Sequence, residues 1–167
     1  NLKSKVLDGG KLGSKRHVKL PGVRVDLPSI TKKDRKDIHL AIKNNVSFIA
    51  LSFVRSAQDI YDLRDILKKK KSSARIIAKI ENQEGLDNIH EITKATDIVM
   101  VARGDLRIET DLADLPNIQR RIMYATAKRG KRSIVATQLL QSLSVIPTST
   151  SAEVTAPATA IYECPVV

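Results

Sequence analysis

The sequence predicts an α/β fold built on a parallel sheet, and three observations carry that prediction. Short apolar runs of strand length alternate with longer segments whose apolar residues recur every three or four positions. The runs are nearly continuous in Ile, Val, Ala and Leu, the pattern of strands covered on both faces. The order strand, helix, strand repeats until four strands have been counted, and such alternation requires right-handed crossovers between parallel neighbours.

Residues 1–28 stand apart. Asp8-Gly9-Gly10, Leu12-Gly13-Ser14 and Pro21-Gly22 supply turn chemistry between short Val and Leu stretches, which predicts β-ribbons of a small module. The larger α/β unit begins at Ser29. Thr31 with Asp34 three positions on forms a capping box and opens a helix through about Asn44, with Ile38, Ala41 and Ile42 as its apolar stripe. Residues 48–54, Phe-Ile-Ala-Leu-Ser-Phe-Val, read as a strand buried on both faces. Ser56 with Asp59 caps the next helix, which carries Ile60, Leu63, Ile66 and Leu67 on one face. The alternation continues with a strand over 75–80, a helix over 86–94, a strand over 98–102, a helix over 116–128 stopped by Gly130, and a strand over 133–137. Beyond that, Pro157 argues against a helix, because an interior proline loses a hydrogen bond and clashes with the preceding turn at a cost of about 3 kcal/mol.

Val54-Arg55-Ser56-Ala57 is not the glycine-rich turn of a dinucleotide-binding fold, and there is no phosphate-binding loop of the Walker type. The better fit is part of a closed (β/α)8 barrel of the TIM type. Such a barrel takes eight strands and about 250 residues. With about four strands in 167 residues, a partial barrel is expected, with unpaired parallel edges and an uncovered interior face.

Composition excludes several classes. With 42% apolar residues the chain can fill a core, and no run approaches the length of a membrane span, so a soluble, cytoplasmic protein without a membrane partner is expected. The single cysteine, Cys164, rules out a disulfide scaffold and a zinc module, and His17, His39 and His90 are scattered. The net charge of +11 invites a nucleic-acid reading. All 29 basic residues lie in 1–132, and the final 35 residues hold only Glu153 and Glu163. The basic runs at 68–71 and 128–132 close helices, where cations complement the dipole, and the five aromatics look like core residues, so no nucleic-acid partner is expected.

Active sites of parallel barrels lie at the C-terminal ends of the strands. In Ile77-Ala78-Lys79-Ile80-Glu81-Asn82 the strand period of two puts Lys79 and Glu81 on one face. Val101-Ala102-Arg103-Gly104-Asp105 runs from an apolar strand into a charged turn, where glycine lets the backbone amides approach a ligand. Thr137 places a hydroxyl at the next strand end. Glu81 and Asp105 are hard oxygen donors suited to Mg²⁺, and Lys79 can stabilise a transferring phosphoryl group. The structural alternative is a pair of rim ion pairs, Lys79 with Glu81 and Arg103 with Asp105.

Four stretches in order, Leu51-Ser52-Phe53-Val54-Arg55, Lys79-Ile80-Glu81-Asn82-Gln83-Glu84-Gly85, Met100-Val101-Ala102-Arg103-Gly104-Asp105-Leu106 and Ala136-Thr137-Gln138, resemble the signature segments of the pyruvate kinase family. The resemblance extends over essentially the whole chain. It implies phosphoryl transfer from phosphoenolpyruvate to ADP in a (β/α)8 barrel with a β lid domain. On it, residues 1–28 are the end of the lid and 29–167 part of the barrel. Lys79 is then catalytic, Glu81 and Asp105 bind Mg²⁺ or Mn²⁺, and Gly104, Asp105 and Thr137 hold the substrate. The resemblance further implies K⁺, with ligands largely outside this chain, and a homo-oligomer. Arg107 departs from the family pattern, which has glycine after Gly-Asp-Leu, and places a long cation beside the expected metal ligand. Such departures leave a second reading, a catalytically inactive piece that binds other chains through open barrel edges.

Overall fold

The computed structural model describes residues 5–7, 9–11, 13–14, 27–137 and 139–163. The ribbons expected over 1–28 fall largely outside these residues. The described elements run α1 (Lys32–Lys43), β1 (Phe48–Leu51), α2 (Ala57–Lys69), β2 (Arg75–Ile80), α3 (Gln83–Asp87), α4 (Ile89–Ala95), β3 (Ile98–Ala102), α5 (Arg103–Glu109), α6 (Leu115–Ala127), β4 (Arg132–Ala136) and α7 (Ser151–Tyr162), with short 3-10 turns at Leu112–Asp114 and Gln141–Ser144. The four strands form one sheet in the order β1-β2-β3-β4, and every pairing is parallel. This is the open segment of a barrel that the sequence predicts.

Both expected capping boxes form. Thr31 Oγ1 accepts from the Asp34 amide at 3.2 Å while Asp34 accepts from the Thr31 amide at 2.8 Å, and Ser56 with Asp59 repeats the arrangement at α2. Helices α2, α4 and α6 cover one sheet face. Ile76, Ile80, Val99 and Val101 point into that layer and meet Ile60, Leu63, Ile92 and Ile122, all of them fully buried. Each such side chain contributes about 1.5–3 kcal/mol on burial. The opposite face is different. Ala50 is exposed and Ile77, Lys79 and Met100 are only partly covered, so β1 is not buried on both faces as its apolar run suggests, because among the described residues it is an edge strand with no element over that face.

Asp97 locks the N-terminal end of the sheet. Its Oδ2 accepts from the Ile76 amide at 2.8 Å and from Arg64 Nη2 at 3.1 Å, tying α2, β2 and β3 together. Arg64 Nη2 also donates to the Ala95 carbonyl.

Several expectations need correction. The strand over 48–54 stops at Leu51, because Phe53 turns into the left-handed region at φ 53. The helix over 86–94 is two, α3 and α4, since Asn82 caps an earlier start by accepting from the Gly85 amide and the backbone resets at Asn88. Gly85 is required where α3 meets the loop after β1, as a Cβ there would overlap the Val54 carbonyl oxygen. The turn after β3 is the helix α5, which starts at Arg103 without a break. Strand β4 begins at Arg132 and leaves Thr137 outside it.

The largest correction is α7, which forms with Pro157 inside it. None of its residues is fully buried and residues 156–160 are only half-buried, so core packing offsets little of the proline's cost. Its start is anchored instead. Thr150 and Glu153 form a capping box, and Glu153 reaches back to the 3-10 turn, where its Oε2 accepts from Ser142 Oγ at 2.5 Å and its Oε1 from the Ser142 amide at 2.8 Å. At the far end Arg120 Nη2 meets Glu163 Oε1 at 2.7 Å.

These donors hold the Glu153 carboxyl at a pKa of about 2, below the ordinary 4.5, with the Ser142 hydroxyl as the main cause. A carboxyl depressed in the folded state stabilises that state above its unfolded pKa and loses the contribution as the pH falls through its folded one. The anchor of α7 is therefore complete above pH 4.5 and fails on the way to about 2. Relative to intrinsic exchange at each pH, protection of the α7 amides should fall across that window while that of the β2 and β3 amides does not, and Glu153→Gln should remove that pH-dependent loss of protection.

Candidate functional site

The C-terminal ends of all four strands form one rim, and the residues singled out from sequence lie along it. Lys79 and Glu81 share a face, as the period of two requires, and their side chains meet at 2.8 Å (Nζ to Oε1). Glu81 is 2% exposed and Lys79 25%. The structural alternative is thus real for this pair, and it is also the arrangement that keeps an ammonium fixed at a strand end.

Two further groups belong to the cluster and were not assigned roles from sequence. Lys79 Nζ donates to Ser52 Oγ at 2.9 Å, and the Phe53 amide donates to Glu81 Oε2 at 2.7 Å. The register pairs Leu51 with Ala78, which brings Ser52 level with Lys79. The positive φ of Phe53 is what aims its amide at the carboxylate, and a non-glycine residue in that region carries a conformational penalty of about 1–3 kcal/mol that the surroundings must offset. Strand spacing could have revealed Ser52, but no sequence signal marks the Phe53 amide.

On the other side of β3, the Gly104 amide donates to Thr137 Oγ1 at 2.9 Å. Thr137 is the residue after β4 and has φ 72, a conformation rare for a β-branched side chain. Strain of this kind clusters at functional positions. A Cβ on Gly104 would sit 3.2 Å from that hydroxyl oxygen, so the close approach depends on glycine. As an acceptor from Gly104, the hydroxyl keeps its own proton for a second partner. Arg103 Nε is shielded from solvent with no acceptor among the described residues. Asp105, half-buried, lies in the first turn of α5, and Arg107 is exposed on the same helix.

Among the described residues, no three or more His, Cys, Asp or Glu side chains gather into a metal cage. Glu81 and Asp105 suit a different kind of site, in which one or two carboxylates hold Mg²⁺ and ligand oxygens with water complete the shell. Glu81 Oε1 accepts from Lys79 and Oε2 from the Phe53 amide, and each oxygen has a further lone pair. The donor set is all oxygen and fits a hard divalent cation.

A parallel β/α unit with a lysine, a buried carboxylate and a hydroxyl-bound glycine amide at successive strand ends belongs to the TIM-type barrel class. The family model for the pyruvate kinase barrel domain matches residues 1–165, and the chain belongs to the pyruvate kinase family. It is 46% identical over 162 residues to the pyruvate kinases of Staphylococcus aureus strains MRSA252, USA300 and COL, an alignment covering 97% of this chain. The chain spans 28% of the length of these curated relatives.

The buried pair sets a stability prediction. Removing one partner of a buried ion pair leaves the other desolvated and uncompensated. Lys79→Ala should lower the unfolding free energy by about 2–3 kcal/mol, less than for a fully enclosed pair because the ammonium is partly solvated. Lys79→Ala with Glu81→Gln should recover part of that loss, and urea denaturation of the single and double variants measures it.

Proposed function

We propose that this chain carries part of a phosphoryl-transfer site that moves phosphate from phosphoenolpyruvate to ADP, giving pyruvate and ATP. The supporting observation is the rim itself, where the Lys79 ammonium at the end of β2 is held by Glu81 and Ser52, and the Gly104 and Thr137 contact joins the ends of β3 and β4 beside it. In the reaction the bond between the phosphorus and the enol oxygen breaks, a bond to a terminal ADP oxygen forms, and the enolate left behind takes up a proton. Catalysis of this kind depends on positioned charge more than on a protein nucleophile. Lys79 stabilises the phosphoryl oxygens. The amides of Gly104 and Asp105 with the Thr137 hydroxyl hold the substrate carboxylate, the Gly104 amide exchanging the Thr137 oxygen for the ligand. Glu81 and Asp105 hold Mg²⁺ or Mn²⁺, which when bound supplies neutralising charge to the phosphoryl group. K⁺ is a further cofactor in this reading. A homo-oligomer, a place in glycolysis and a cytoplasmic location belong to it as well, as does the division into a lid segment at 1–28 and barrel at 29–167.

A second reading rests on the open sheet. β1 and β4 each present an unpaired edge among the described residues, and Phe48 beside the β1 edge is 47% exposed. Such edges recruit other strands. The chain would then act by docking onto other chains and have no activity of its own.

Pyruvate formation from phosphoenolpyruvate and ADP with Mg²⁺ and K⁺ separates the two. The catalytic reading expects turnover that falls about 100-fold or more in Lys79→Ala, the scale on which transition-state stabilising groups act, with circular dichroism showing that the variant is folded. Equal rates in both proteins would remove Lys79 from the mechanism. No product from a folded chain, together with an earlier size-exclusion peak on mixing with intact Staphylococcus aureus pyruvate kinase, would favour docking.

A further inference from the structure

The sequence shows its cations as separate runs at helix ends, and read singly each is a solvated terminus. The fold brings them together. Because every strand is parallel and a helix connects each to the next, the helices run opposite to the strands and their C-termini collect at one rim of the sheet. The last turns of α1, α2 and α4 end in Lys43, Lys68 with Lys69, and Lys94. Loop residues extend the same surface. Residues 68–75, from the end of α2 to the start of β2, read Lys-Lys-Lys-Lys-Ser-Ser-Ala-Arg, and residues 128–132, between α6 and β4, read Lys-Arg-Gly-Lys-Arg. The carboxylates of the first turns, from Asp34 in α1 to Glu153 in α7, sit at the opposite rim. First-turn carboxylates thus gather at one rim and last-turn lysines at the other, as helix dipoles favour, while Lys32, Lys33, Arg35 and Lys36 of α1 lie toward the carboxylate rim.

The basic rim lacks internal partners. Apart from Lys131, the cations of the two loop segments are exposed, and none forms an ion pair among the described residues. Asp97, the carboxylate at this end of the sheet, is already occupied by Arg64 and the Ile76 amide. Lys131 is turned inward and donates to the carbonyls of Lys94 and Thr96. Burial is the main influence that pushes its ammonium below the ordinary value, Asp97 opposes the shift, and repulsion from Arg64 and Arg129 adds to it.

We infer that this rim is a sequence-independent binding surface for the phosphate backbone of a nucleic acid. Unpaired cations fixed on a rigid sheet end neutralise phosphates and release counterions, and the gain requires no base contacts. Neither basic segment contains an aromatic side chain on which a base could stack. Neither exposes an apolar side chain for insertion into a bilayer, since Ala74 is 7% exposed, and membrane attachment draws on buried apolar area as well as charge. The inference is independent of the catalytic reading, whose residues occupy the other rim.

Fluorescence anisotropy of a labelled duplex of random sequence, with the full chain, tests it. Affinity should fall about 1,000-fold between 50 and 200 mM salt if about six phosphates are contacted. Replacing Lys68, Lys69, Lys70 and Lys71 with Gln should make the slope of log K against log salt shallower by about 3 to 4, and weaken binding in low salt about 100-fold. Replacing Lys32, Lys33, Arg35 and Lys36 with Gln removes the same charge from the first half of α1, toward the other rim, and should change affinity less than about 3-fold. Thermal melts establish that both variants fold, and a third, with Lys128, Arg129 and Arg132 replaced by Gln, should repeat the loss. Equal losses in the α1 and 68–71 variants would mean attraction to net charge alone and overturn the assignment. So would binding that ignores salt, no binding at 50 mM salt, or tighter binding to phosphatidylserine vesicles than to the duplex.

Discussion

A carboxylate almost wholly withdrawn from water at the end of a strand must be given donors, and much of the rim is arranged around supplying them to Glu81. Lys79 stands two residues earlier on the same face, and Phe53 bends into a left-handed conformation so that its amide can reach the second oxygen. That bend is why β1 is short. It also leaves Ser52 beside the ammonium, so one buried charge accounts for the end of a strand, a backbone strain and the fixed position of the lysine. A network of this kind is rigid only when every member is satisfied, which is why the loss of any one partner reaches the others.

The two rims serve opposite ends of the same physics. Parallel strands with helical connections align the helix dipoles, so amides point to the C-terminal rim and carbonyls to the N-terminal one. The carboxylates of the first turns and the lysines of the last turns follow that polarity. The rim with aimed amides carries Lys79, Glu81, Gly104 and Thr137, while the other is rich in exposed cations. Charge that looks diffuse in composition has become directional in the fold.

Most of the scaffold was legible because its signals are local. Thr31 with Asp34 and Ser56 with Asp59 announce helix starts through side-chain hydrogen bonds that need no tertiary partner, and the apolar runs at 75–80 and 98–102 match β2 and β3 residue for residue. Lys79 and Glu81 were placed together by strand period alone. What escaped the sequence depends on long-range contacts. At the break, Asn88 Nδ2 donates to the Arg55 carbonyl 33 residues away, and α7 survives Pro157 because Glu153 finds Ser142 eleven residues away. Neither partner is visible in a window of helical length. The apolar composition of 48–51 likewise says that a strand forms without saying that one of its faces stays uncovered.

The strand order, in which each strand lies beside its chain neighbours and no other, makes this molecule grow in one direction like a row of tiles. Among the described residues no strand inserts between two earlier ones, so each strand and its helix rest on the unit before and support the unit after. Protection of the backbone from deuterium must therefore decline outward from β2 and β3, which have neighbours on both sides, toward β1 and β4.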